Sequence, residues 1–162
     1  MLQAASDDGS ICQCLQLISS CTSDNASNLM YMQSMGYKIC AFILSQKPKE
    51  IMTKSVFDSI WDVCTSRCVA DSVAFKSSIL FVDTAAFYNL ILNNQVWGMK
   101  RSDFASYILK NISLLLRDSR YGTLNAKRLS LLGVSKWILI ICMYGAASVS
   151  YTHLTLPTKR IV

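Results

Sequence analysis

Apolar residues recur along this chain at three- and four-residue intervals, in short blocks broken by glycine, proline or polar pairs. The first block, Ile11-Cys12-x-Cys14-Leu15-x-Leu17-Ile18, predicts a helix. Ser23-Asp24-Asn25 reads as a cap for a second helix over about 26–34, carrying Leu29, Met30, Met32 and Gln33, and Gly36 is expected to break it. A third helix, from Tyr37 to about Gln46, is expected to bury the stripe Ile39, Phe42 and Ile43 and to end at Pro48. Thr53 caps a fourth over about 54–66, with Val56, Phe57, Ile60, Val63 and Cys64 on one face.

The segment 67–82 fits either a short helix or a buried extended piece. Asp83 caps a helix over about 84–94 with Phe87, Leu90 and Ile91 inward, closed by Trp97-Gly98. Ser102-Asp103 caps the clearest helix, about 103–118, whose stripe is Phe104, Tyr107, Ile108, Ile112, Leu115 and Leu116. Its far face carries Lys110, Ser113 and Arg117. Asn125 is expected to cap a short helix to Leu132, Gly133 to break the chain, and Ser135 to cap a last apolar helix. No convincing period-two alternation occurs. The expected fold class is all-α, an armadillo-like α-solenoid of stacked antiparallel helices, with a single globular bundle as the alternative.

Composition sharpens this picture. The 162 residues are 52% hydrophobic and only 16% charged, with a mean hydropathy of +0.32. That is too apolar for a disordered chain, and it calls for something to cover apolar faces: neighbouring repeats, a partner or a membrane. The longest apolar run, Trp137 to Tyr144, is far shorter than the ~20 residues of a membrane span and reads as a core helix. Asp7-Asp8 stand where a leader peptide would be apolar. The seven cysteines, an odd number irregularly spaced in apolar surroundings, read as small hydrophobes in a reducing compartment. The matches to N-x-S at Asn25 and Asn111 then read as chance.

The tail has a different character. Val149 to Thr158 resembles the forward translation of a transposase mosaic-end adaptor used in sequencing libraries. The expected organisation is therefore a disordered N-terminus over 1–10, a helical-repeat fragment over 11–148 and a non-native adaptor-derived tail over 149–162. Without Lys159 and Arg160 the basic count falls from 16 to 14 against 10 acidic residues, so the net charge falls from +6 to +4. A balance this weak, spread without clusters, gives no footprint for nucleic acid.

Candidate chemistry is sparse. The single histidine, His153, lies in that tail, so neither a Ser-His-Asp nor a Cys-His arrangement can be built from the rest. Cys12-x-Cys14 and Cys64-x3-Cys68 lack the C-x2-C pairing of an all-cysteine zinc site, and no glycine-rich phosphate loop exists. Asp58 and Asp62 share a helix face that reads as solvated, beside Lys54. Trp61, Trp97 and Trp137 read as buried aromatics before partner anchors. The expectation is no catalytic residue, no metal, no cofactor, no small-molecule substrate and no enzyme activity.

The order of features resembles the helical region of BEACH-domain scaffolds of the neurobeachin and lysosomal-trafficking-regulator type. Met32 to Lys47, a Gly-Tyr pair followed by an apolar helix and a basic end, carries the likeness, with a helix like Thr53–Ser66 after it. It continues at Phe87 to Trp97, through a helix like Phe104–Leu116, to Lys127–Val134, and covers about residues 29–144. Gln95 stands where an acidic residue is expected before Val-Trp. The resemblance implies a large cytoplasmic scaffold in vesicle traffic, lysosome-related organelles or autophagy, binding protein partners through its helical surface and peripheral to endomembranes. It transfers no functional residue. The alternative is a small membrane-associated helical protein using the basic-apolar segment 127–144, and a third reading is a piece of an enzyme whose catalytic residues lie elsewhere.

Overall fold

The computed structural model describes residues 1–23, 25–67, 80–93, 96, 101–117 and 121–140. The chain is mostly helical. We number its elements α1 (Asp8–Ser23), α2 (Ala26–Tyr31), α3 (Tyr37–Ser45), α4 (Lys54–Cys64), β1 (Thr65–Arg67), β2 (Leu80–Val82), α5 (Thr84–Ala86), α6 (Arg101–Arg117), α7 (Gly122–Leu131) and a last helix α8 over 134–140. Trp97-Gly98, Cys68 and the tail 149–162 lie outside the described residues.

Residues 1–10, expected to be disordered, hold a short turn and the first residues of α1. A 3-10 turn, Leu2–Ala4, precedes α1 and places Leu2 and Ala5 in the core. The Lys47 ammonium holds it by donating to the carbonyls of Gln3, at 2.8 Å, and Ala5. Asp7 then accepts from the Ser10 backbone N–H at 2.9 Å and the Ser10 hydroxyl at 2.7 Å, capping α1. Short polar stretches read as loops, and two well-placed apolar side chains overrode that reading.

Gly36 does not break the chain. Residues Met32–Gly36 form a π-helical turn that leads directly from α2 into α3. Gly36 keeps helical angles, and its missing Cβ leaves room for the Met32 thioether, which a side chain there would strike. A second π-turn, Phe87–Ile91, extends α5, with the Leu92 N–H reaching the Phe87 carbonyl at 3.0 Å. Gln33 ties the first turn to the cap of α5, its Nε2 donating to Asp83 Oδ2 at 3.0 Å.

The core centres on α4, which buries Val56, Phe57, Ile60, Trp61, Val63 and Cys64 and packs most heavily on α1 through Ile11 and Leu15. Thr53 caps it as expected, accepting from the Val56 N–H and donating to Asp8 Oδ2 at 3.1 Å. Phe57, Trp61, Phe87 and Tyr107 form an aromatic chain with ring centroids 5.4 to 6.0 Å apart. Phe87, Leu90, Ile91, Ile108, Ile112 and Leu115 point inward as their spacing predicts, whereas Leu116 is 38% exposed.

The fourth helix ends at Cys64, short of the expected 66, and Thr65–Arg67 pair as an antiparallel two-stranded ladder with Leu80–Val82 of the ambiguous segment, Thr65 opposite Val82. The Asp83 N–H donates to the Cys64 carbonyl at 2.9 Å, so that pair faces inward across the ladder. The alternation of an antiparallel ladder then turns both backbone groups of Val82 outward. Helix α7 satisfies them: Asn125 Oδ1 accepts from the Val82 N–H at 3.1 Å, and the Arg128 guanidinium donates to its carbonyl at 2.6 Å. Asn125 is therefore not a cap. It sits inside α7, fully buried, doing the work of a third strand. Gly133 ends α7 at φ +70°, as its position predicts, and its carbonyl accepts from the Trp137 N–H at 3.2 Å, so Ser135 lies inside the last helix.

Candidate functional site

Among the described residues the chemistry-bearing side chains do not converge on a metal-binding cluster: no group of three or more His, Cys, Asp or Glu could hold a metal ion. Cys12, Cys14, Cys21, Cys40 and Cys64 are free thiols. Burial pushes the Cys40 and Cys64 thiols up, Cys64 further because the Asp83 carboxylate is close, which keeps both protonated and unreactive. Burial, then the Asp83 charge, likewise holds the Tyr37 phenol above its usual range. Asp83 itself is spent on structure, with Oδ1 accepting from the N–H groups of Ala85 and Ala86.

Asp58, read as solvated, is half-buried. It accepts from Lys54 at 3.0 Å and from the Tyr107 hydroxyl, while the Lys54 ammonium lies 4.3 Å from the Tyr107 ring centroid. This ties α4 to α6. Asp62 stays exposed. Trp61 and Trp137 are core residues, 7% and 8% exposed.

What remains is a surface. Helix α3 buries Tyr37, Cys40, Ala41 and Leu44; of the expected stripe only Ile43 packs against the core, while Phe42 is 66% exposed and Ile39 43%. Both stripes obey helical spacing, and the one anchored by the larger Tyr37 went inward. The outward face continues through the π-turn to Met35, Tyr31 and Met30. Beside Tyr31 a groove of about 270 Å³ opens between α1 and α2, walled by Leu17, Ile18, Cys21 and Met32. Contiguous exposed apolar residues of this kind mark interaction sites in folded proteins. Nothing at the sequence level singled them out, because α3 is apolar on every side except Lys38 and Ser45.

The basic-apolar segment divides. Trp137 and Val134 are buried and Ile138 partly so, while Leu131 and Leu139 are exposed beside Lys127 and Lys136. Residues 141–144 lie outside the described residues, and no described helix is long and apolar enough to cross a membrane. Compared with protein-family models, curated protein sequences and solved structures, the chain matches none.

Proposed function

We propose that this chain is a non-catalytic, armadillo-like helical-repeat segment of a BEACH-type scaffold, and that it acts by offering a helical surface to protein partners in cytoplasmic membrane traffic. The observation that carries the reading is the uncovered apolar face of α2 and α3, from Tyr31 to Phe42, on a helix whose opposite face is part of the core. The stretches that resemble the family support it too. Met32–Lys47 covers the π-turn and α3, the stretch after it is α4, and Lys127–Val134 spans the second half of α7 and its glycine stop.

Two experiments test it. Reading the source transcript past codon 148 should meet, in frame, a PH-like and then a BEACH domain; a nearby stop codon would remove the family half of the proposal. Proximity labelling in cells should lose a defined set of neighbours when Tyr31 and Phe42 are both changed to glutamate, and an unchanged set would remove the surface half.

A second reading, a peripheral membrane helix, is favoured by the exposed Leu131, 87%, and Leu139, 64%, beside Lys127 and Lys136. Flotation of the chain with anionic liposomes, lost on Leu131→Glu, decides for it.

A further inference from the structure

The apolar face of α2 and α3 is complementary to itself. Tyr31, Met35, Ile39 and Phe42 lie along one line, an aromatic at each end and an aliphatic or thioether side chain at each inner position. When such a face meets a second copy running antiparallel about a two-fold axis, every contact occurs twice. Position 31 then falls opposite 42, and 35 opposite 39. Tyr31 also edges the groove walled by Leu17, Ile18, Cys21 and Met32, so each Phe42 arrives at the mouth of the other copy's groove. Knob and hole sit at opposite ends of one helical line, roughly 16 Å apart at 1.5 Å per residue.

We propose that this face pairs with a second copy of the chain, as an antiparallel, two-fold symmetric helix pair in which Phe42 of each copy fills the α1–α2 groove of the other. This rests on the surface reading above and names the occupant of that surface.

Area and charge both favour it. Leu17, Met30, Tyr31, Met35, Ile39 and Phe42 are between 43% and 71% exposed. At roughly 200 Å² for a side chain of this size they offer on the order of 700 Å² per copy, close to the ~800 Å² per partner of a stable interface. Between Asp8 and Lys47 the sequence carries two charges, Asp24 and Lys38, and Lys38 borders the face beside Phe42, so the face is almost wholly apolar with a single cation at its edge and no acidic cluster to attract a basic partner.

Sedimentation velocity of the full chain from about 1 to about 100 µM is the test. The expected result is a monomer–dimer equilibrium that persists when salt is raised. Phe42→Glu should weaken it at least ~30-fold, the loss expected of an interface hot spot. Tyr31→Lys should do the same, and the double variant Tyr31→Lys/Phe42→Glu should recover dimer, because the new charges face each other across the two-fold. Both positions are exposed, so far-UV circular dichroism of each variant should match the parent; if one variant misfolds, the other decides. A chain that stays monomeric throughout overturns the pairing and leaves the surface open to a different protein, which the labelling experiment detects. A dimer indifferent to both single variants, or one dissolved by salt, places the contact elsewhere and also overturns it.

Discussion

Helices α3 and α4 are both strongly apolar, yet only one advertises which way it faces. In α4 the exposed positions carry Lys54, Ser55 and Asp62, and the apolar residues Val56, Phe57, Ile60, Val63 and Cys64 fall on the remaining face. Water selects one orientation. In α3, Ile39 and Phe42 compete with Tyr37, Cys40, Ala41 and Leu44, and both sets are spaced for burial. The choice is made by the surroundings: Tyr37 and Leu44 reach the core, and the opposite face is left for another contact. A helix with polar residues on one side records its own environment; a helix apolar nearly all round does not record which side meets the core.

The largest effect that sharpens this contrast comes from truncating one aromatic on each helix. Phe57→Ala in α4 should cost about 3–5 kcal/mol of unfolding free energy, since Phe57 is fully buried. Phe42→Ala in α3 should stay within about 0.5 kcal/mol in the monomer. Urea unfolding of the two variants side by side measures both.

The next effect concerns the polar tie behind α4. Asn125→Leu keeps the volume but leaves the Val82 N–H buried without its acceptor, a loss of about 1–3 kcal/mol. A substitution on an exposed α7 position such as Ala126 should cost far less in the same melt, which separates the tie from helix propensity.

Alkaline pH should then weaken the buried faces of both helices. Tyr37 and Cys40 in α3 and Cys64 in α4 have folded pKa values raised above their unfolded ones. The stability they contribute is complete below the unfolded values and is lost as pH rises through the folded ones. The loss should begin above about pH 8.5, the ordinary thiol range, and steepen above about pH 10, the ordinary phenol range. Thermal midpoints across that window should fall, and Cys64→Ala should flatten the first part.

The smallest effect is at the surface of α4. Lys54→Met removes the contacts to Asp58 and Tyr107, but Lys54 is largely exposed, so the urea midpoint should barely move, and less still in high salt.

Much of the helical order was legible in the sequence. The Thr53 and Asp83 caps, the Gly133 stop, the inward stripe of α4 and the Ile108, Ile112 and Leu115 part of the α6 stripe follow from local spacing. What was not legible depends on distant partners. Asn125 looks like a cap until Val82 is found beside it, 43 residues away in sequence. Gly36 looks like a break until the Met32 side chain is seen to need its space. The polar residues 1–10 look loose until Lys47 is found holding two of their carbonyls. The exposed apolar face of α2 and α3 was hidden for the same reason, since its residues are indistinguishable from core until the core is known.

The claim that α3 turns Tyr37, Cys40, Ala41 and Leu44 inward and Ile39 and Phe42 outward is tested most directly by placing one charge on each side. Urea unfolding of Leu44→Glu and Phe42→Glu should be compared at a concentration too low for self-association. The Phe42→Glu chain should unfold close to the parent midpoint, and the Leu44→Glu chain should be unfolded or nearly so, because a carboxylate would replace a side chain only 1% exposed. Equal losses, or a greater loss at Phe42, would contradict it.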